Sequence, residues 1–426
     1  MSLRAQDVFT PGSYPVHTYV ERSEEKLEQS LRDALSTPGQ IVSLSGPSKS
    51  GKTVLVERVA GRDNLITVPG AGVESPNQIW EQVLDWMGAP VSTSRSNTIG
   101  GGVSGEVSGK AGIAIPGLAK AGGEVKGGGS INASTEGGRA FERRGLTQVV
   151  EEISNSDFVV LLDDFHYMAR EVQAETAKSI KEAVRLGVKI CTAAVRHRGD
   201  DVVRANPELR GRVRAVDLNY WNLTELASIA EVGFGALNAK VEARAIEQFA
   251  REAAGSPQLM QLICLNACFV LGMREKSTVP RMVTVADVTR RQILEQTSAS
   301  TDFRSLVDVL DDEPRTRGTE RKTYQFWDDS QGDVYRCVLK AVAMDPPRLS
   351  FSYDELTKRT NAACRSEGPV GSSVTGTCLQ MSRLAQERFP TERVIDWDEQ
   401  KTILDIPDPY LLFYLRWSGR LVEPEG

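Results

Sequence analysis

The sequence predicts an α/β fold: a doubly wound parallel sheet followed by a helical lid and a winged helix-turn-helix domain. Three observations carry this expectation. Residues 46 to 53 read Gly-Pro-Ser-Lys-Ser-Gly-Lys-Thr, between a β-branched apolar run and a helical run. Two further apolar runs, Phe158 to Leu162 and Lys189 to Val195, alternate with helical segments. From Val334 onward, three helical patterns precede a pair of short strand patterns.

The elements follow in order. Glu24 to Leu35 reads as a helix with Leu27, Leu31 and Leu35 in one stripe, and Ile41 to Ser45 as a buried strand. Thr53 to Ala60 reads as a helix, Leu65 to Val68 as a strand, and Asn77 to Met87 as a helix with Ile79, Trp80, Val83 and Trp86 on one face. Residues 99 to 138 hold 14 glycines and almost no large apolar side chain. They form an insertion within the first domain, with three readings: a disordered loop, a hairpin or arm that contacts a neighbour, and a membrane-active segment. Helices are expected at 141–153 and 174–186, strands at 158–164 and 189–195. After Trp221 the pattern becomes helical, at 224–237, 241–254, 257–271 and 285–296. The last part reads as helices at 334–343, 353–360 and 373–386, then strands at 394–397 and 402–406. The expected division is a core over 1–220, a lid over 221–300, a linker over 301–332 and a winged-helix domain over 333–426.

Composition limits the function classes. A chain of 426 residues is expected to hold two or three domains. Its net charge of −6 supplies no global basic field for nucleic acid, although a local basic face remains compatible with it. The six cysteines include no Cys-x-x-Cys pair, and Cys264 and Cys268 sit in an apolar run that reads as core, not as a metal site. This suits a reducing cytoplasm. No signal peptide opens the chain, and no apolar stretch of about 18 residues is present to span a membrane.

The motif at 46–53 fits the phosphate-binding loop pattern at every specified position. Gly46 and Gly51 let the backbone come close to phosphate oxygens. Gly46, Pro47, Ser48, Lys49, Ser50, Gly51, Lys52, Thr53 and Val54 are expected to line the phosphates, the main-chain N–H groups of all but Pro47 forming an anion nest backed by the helix dipole. Lys52 is expected on the β- and γ-phosphates and the Thr53 hydroxyl on Mg²⁺. The ligand class is a nucleoside triphosphate, ATP exchanged for ADP, with Mg²⁺. A buried strand ending in Asp163-Asp164 suits the same chemistry, with Asp163 holding the metal and Asp164 orienting the attacking water. Adjacent strand residues face opposite ways, but the strand end begins to turn, which brings both acids to one site. His166 has two equal readings, a polar relay or a packing residue. Arg196 follows the strand at 189–195 and is expected on the γ-phosphate. Of Arg210 and Arg212, one is expected as an arginine finger toward a neighbouring subunit, against a solvated basic surface.

With these residues in view, the chain resembles the AAA+-like branch of P-loop ATPases, and within it the STAND signal-transduction ATPases and origin-recognition-type initiators. Tyr19 to Leu27 is similar to the family's N-terminal box beside the adenine, with Arg22 at its arginine and Glu21 where glycine is usual. Leu161 to His166 is similar to the Walker B form with a second acid. Gly255-Ser256-Pro257 matches the Gly-x-Pro turn of the lid, which implies that the Pro257 backbone approaches the nucleotide. Phe413 to Trp417 is similar to the family's closing segment. The resemblance implies a slow ATPase switch, a homo-oligomer and a cytoplasmic location. No repeat sensor or effector segment is visible, which points to a partner subunit.

Two functions compete: a switch that engages a protein partner, and a DNA-associated ATPase of initiator or transposition-regulator type. The expected recognition helix at 373–386 carries Arg383, with Lys358, Arg359 and Arg365 nearby, fewer cationic and amide groups than groove readout normally uses. The protein-partner reading is therefore preferred. A metabolic P-loop kinase has no use for the lid and C-terminal domain.

Overall fold

The computed structural model describes residues 2–22, 25–89, 144–195, 209, 211–312, 322–389 and 394–421. The glycine-rich stretch at 99–138 lies outside the described residues. The chain divides into two compact units. One comprises Glu28–Ser45 and Leu55–Val216, the other Met1–Leu27, Gly46–Val54 and Asp217–Gly426.

The first unit is built on a five-stranded sheet. Its elements in chain order are α1 (Leu27–Ser36), β1 (Ile41–Ser45), α2 (Lys52–Ala60), β2 (Leu65–Pro69), α3 (Pro76–Trp86), α4 (Leu146–Ile153), β3 (Val159–Asp163), α5 (Arg170–Arg185), β4 (Lys189–Ala194) and β5 (Val213–Asp217). Strand order is β2-β3-β4-β1-β5, and the β2–β3, β3–β4 and β4–β1 pairs are parallel. All five residues of β1 and the first four of β3 are buried, as parallel strands covered on both faces require. Ile66, Trp80, Val160, Leu162, Phe165, Ile180 and Ile190 form the core. Trp80 keeps its indole N–H satisfied by donating to Ser179 Oγ at 2.8 Å.

Two local expectations change. The α3 stripe is Ile79, Trp80, Val83 and Leu84, whereas Trp86 is 43% exposed and meets Phe158 edge-on at 5.9 Å. Ser75 and Pro76 explain the start of α3, since proline at the first helical position loses no bonded N–H. Of the helix expected at 141–153, residues 144–153 are described, and α4 covers the last eight.

The second unit carries α6 (Leu223–Ala236), β6 (Ala239–Val241), α7 (Ala243–Glu252), α8 (Pro257–Val270), β7 (Arg281–Val283), α9 (Asp287–Ala299), α10 (Arg304–Asp312), β8 (Tyr324–Gln325), β9 (Gln331–Gly332), α11 (Val334–Ala343), β10 (Ser350–Ser352), α12 (Tyr353–Ala363), α13 (Gly371–Arg388), β11 (Asp396–Asp398), β12 (Ile403–Asp405) and α14 (Pro409–Trp417). Helices α6 to α9 close over one core containing Phe9, Ile229, Phe234, Phe249, Ile263 and Ile293. Phe9 packs edge-to-face on Phe234 at 5.1 Å, and its ring passes 2.3 Å from where a Cβ on Gly233 would stand. Only glycine fits there.

A second core gathers Leu306, Leu310, Val338, Leu356, Met381, Leu404 and Leu415. The stretch at 301–332, read from sequence as a linker, thus contributes α10 to this core, and its β8–β9 pair is antiparallel. The three helices α11 to α13 appear as expected, with one strand the periodicity did not reveal. β10, only three residues long, joins β12 and β11 in an antiparallel sheet through Phe351↔Leu404 and Trp397↔Leu404. Among the described residues, no helix is long and apolar enough to cross a membrane.

All six cysteines are buried free thiols, and Cys337 Sγ lies 3.8 Å from Cys364 Sγ. Burial pushes the Cys268 and Cys378 thiols up to about 12 from an ordinary 9.0. The folded protein favours the neutral thiol, so this contribution to stability is complete below pH 9.0 and declines as pH rises toward 12. At pH 8, a thiol reagent is expected to label the native chain slowly and the chain in denaturant quickly. Mass spectrometry of alkylated peptides checks this, and rapid native labelling of Cys268 or Cys378 would contradict it.

Candidate phosphate-binding site

The loop from Gly46 to Gly51 leaves the carboxyl end of β1 and enters α2 at Lys52. Its conformation needs the residues it has. A Cβ on Gly46 would lie 2.8 Å from Leu218 Cβ, and Gly51 has φ +91°. Ser50, buried, donates its hydroxyl to the Pro47 carbonyl at 2.8 Å and closes the turn. Lys52 is only 8% exposed, and its ammonium curls back into the loop, donating to the carbonyls of Pro47 at 2.7 Å and Gly46 at 3.1 Å. A buried cation within a ring of main-chain groups at a helix N-terminus is the environment a phosphate requires. Ser48, Thr53 and Val54 are partly exposed.

The rest of the second unit grips this loop from two sides. Trp221 donates its indole N–H to the Ser50 carbonyl at 3.0 Å. Ser256 donates its hydroxyl to the Lys49 carbonyl at 3.4 Å and also caps α8 by accepting from Leu259 N–H. Pro257, the first residue of α8, stands over Gly51, its Cγ 3.9 Å from the position of a Cβ there. Gly255 completes the turn at φ +84°, with Tyr220 filling the space a Cβ would need and the Gly255 carbonyl accepting from Trp221 N–H at 3.1 Å. The Gly255-Ser256-Pro257 turn therefore meets the loop. Trp221 was not anticipated; its place just before the capping residue Asn222 of α6 was the available signal.

Arg22 is buried and serves this support. Its guanidinium donates to Glu225 at 3.0 Å, Glu25 at 2.8 Å and the Asn219 carbonyl at 3.1 Å, and lies 5.3 Å from the centre of the Trp221 ring. Arg22, expected from the sequence beside the nucleotide, packs here on the Trp221 segment that holds the loop.

Lys49 reaches the other side. Its ammonium lies 2.8 Å from Asp408 Oδ2 and 4.1 Å above the centre of the Tyr410 ring. Asp408 caps α14 by accepting from Tyr410 N–H at 2.9 Å.

Within the first unit, the two acids stand at the carboxyl edge of the sheet. Asp163 ends β3, and the registers Leu162↔Thr192 and Ser43↔Thr192 put it level with Leu44 of β1, two strands away. That is about 10 Å at ordinary strand spacing. Asp164 adopts φ 54°, ψ 40°, so the chain turns sharply at this point. The turn is pinned by Gly70, whose N–H donates to the Asp163 carbonyl at 2.7 Å and whose absent Cβ would meet the Asp164 carbonyl at 2.7 Å. Arg212 stands beside the start of β1, its carbonyl accepting from Ile41 N–H at 2.8 Å. Arg196 and Arg210 lie outside the described residues, as does the side chain of His166. Among the described residues, no group of three or more His, Cys, Asp or Glu side chains is placed to hold a metal ion.

No protein-family model matches the chain, and no curated protein matches it in sequence. Solved structures do match in fold. The Aeropyrum pernix ORC2 protein, in ADPNP and ADP complexes, aligns over 99% of this chain and 97% of its own at 13% identity, with a TM-score of 0.50. Cdc6p from Pyrobaculum aerophilum covers 97% and 98% at 14% identity and TM-score 0.43. The Thermotoga maritima RuvB Holliday junction branch migration motor covers 93% and 95% at 12% identity and TM-score 0.41. At this identity the likeness is one of fold: the chain shares the overall architecture of the ORC2 protein.

Proposed function

We propose that this protein is an ATP-binding and slowly ATP-hydrolysing conformational switch that controls self-assembly and engagement of a protein partner. The observation that carries it is the grip on the phosphate loop: within one six-residue turn, Trp221 holds Ser50 while Ser256 and Asp408 hold the carbonyl and the ammonium of Lys49. A ligand that alters the loop acts on the lid helix α8 and the C-terminal helix α14 directly. A metabolic enzyme has no need of such coupling.

The residues take the following roles. Lys52 neutralises the β- and γ-phosphates, and the main-chain N–H groups of the loop bind their oxygens. A hydroxyl and a carboxylate are hard oxygen donors suited to Mg²⁺, so Thr53 and Asp163 are the residues to hold it, directly or through water. Bound there, the ion would neutralise phosphate charge. Asp164 accepts a proton from, and aligns, the attacking water. Arg196 is the residue the sequence offers for the γ-phosphate, and Arg212 is a candidate finger toward a neighbouring subunit. The lid over 221–300 and a winged helix over 333–426 are the moving parts.

An Asp164→Asn variant is the test. Asparagine tolerates the left-handed conformation at this position, so the change removes charge without backbone strain. ATP binding is expected to persist while hydrolysis falls by about 10²-fold. Unchanged hydrolysis would remove Asp164 from its role, and a size distribution indifferent to ATP would remove the assembly switch.

The surface of α13 supports the protein partner over DNA. Of the cations near it, Arg359 is buried and donates to the carbonyls of Met344 and Pro346 at 2.8 Å each, and Arg365 pairs with Asp329. The DNA-associated alternative keeps the exposed Lys358 and Arg383 and predicts duplex binding with a steep salt dependence.

A further inference from the structure

Lys49 stands in the left-handed region at φ +58°, where glycine is the unstrained choice and a side chain is uncommon. Strain that persists at a functional loop points to a side chain that is needed. The Lys49 side chain leaves the loop for the start of α14. It forms a 2.8 Å ion pair with Asp408 and covers the Tyr410 ring at 4.1 Å. Both partners are largely sheltered, Asp408 with its side chain 15% exposed and Tyr410 buried at 9%. Asp408 lies outside every nucleotide motif, 359 residues from Lys49 in sequence.

A polyphosphate in this loop and the Asp408 carboxylate are two anions that share one ammonium. We propose that Asp408 sets the affinity of the loop for polyphosphate through Lys49, so that phosphate binding and the docking of α14 oppose one another. The inference rests on the loop being the ATP site. Asp408 lowers the affinity by occupying the Lys49 ammonium, which is then not available to the incoming phosphates. By linkage, whatever weakens ATP binding through α14 is weakened by ATP to the same degree. The nucleotide thereby loosens the N-terminal turn of the last helix, which gives the switch its moving end.

The pair predicts an effect that grows with ligand charge. Asp408→Asn keeps a side-chain acceptor for the Tyr410 N–H, so the cap of α14 is retained while the charge is lost. Equilibrium binding to the full chain is measured for ATP, ADP and adenosine. Asp408→Asn is expected to bind ATP about tenfold tighter and ADP about threefold tighter, with adenosine unchanged. Asp408→Glu, which restores the charge, returns to wild-type values. In a Lys49→Gly background, which also relieves the backbone, the ATP gain from Asp408→Asn falls below about twofold. Equal shifts for ATP and adenosine would mean a purely structural role and overturn the proposal, as would an ATP affinity indifferent to Asp408→Asn. Failure of the underlying reading looks different: wild type itself would not bind ATP, or Lys52→Ala would bind it equally well.

Discussion

Lys52→Ala is expected to cut ATP hydrolysis by about 10²–10³-fold and to weaken ATP binding, with little effect on folding. The Lys52 ammonium is buried inside the loop and bonded to the carbonyls of Gly46 and Pro47. A preorganised positive charge in such a place stabilises phosphate charge far more than a solvated one does, and alanine removes all of it. Folding is affected less because the lost group is itself a cation held out of water. Its removal also ends a desolvation penalty, so the thermal midpoint should move by less than about 4 °C. Nucleotide titration, a phosphate-release assay and a melting curve on the same preparation separate the two effects. Wild-type turnover in the variant would refute the assignment of the loop.

Arg416→Ala has the opposite profile. Arg416 projects from α14 with its side chain 6% exposed and makes a two-pronged ion pair with Glu252 of α7, at 2.9 and 2.8 Å. It also donates to the Ala343 carbonyl at the end of α11 and to Asp345, both at 2.6 Å. Burial works to lower its pKa, but Glu252 and Asp345 outweigh that and hold it above its ordinary value. Truncation leaves the Glu252 carboxylate, 11% exposed, with the Trp417 indole as its remaining donor. Breaking one side of a buried pair costs about 3–5 kcal/mol. Denaturant melts should show that loss, and Arg416→Met combined with Glu252→Leu should recover much of it, because apolar replacement of both partners removes the uncompensated charge. A loss below about 1 kcal/mol for Arg416→Ala would mean the pair behaves as a solvated surface bridge.

These two residues mark how far sequence reading reaches. The setting of Lys52 was legible because it is local: the motif, the strand before it and the helix after it lie within about 20 residues of chain, and each has its own periodic or glycine signature. Arg416 lay in a segment noted only for its resemblance, since its partner is 164 residues away and no periodicity encodes that pairing. The same limit explains Trp86. A helical wheel assigns it to the apolar face, but the sheet covers a narrower arc of α3 and leaves that ring in solvent. The stretch at 301–332 looked like a linker because α10 has only nine residues and β8 and β9 two each, too short for a clear period.

The amino-acid sequence by itself determined the local elements: buried strands, the turn residues at Gly51 and Gly255, the placing of two acids at the end of β3. These depend on backbone propensity and burial, which act over a few residues. Tertiary structure alone decided that β4 and β5 flank β1, that Arg212 stands beside the start of that strand, and that Arg22 packs on Trp221. It alone joined Lys49 to Asp408. Such pairings are set by how whole faces pack, where many weak contacts are satisfied together, and no single stretch of chain records them.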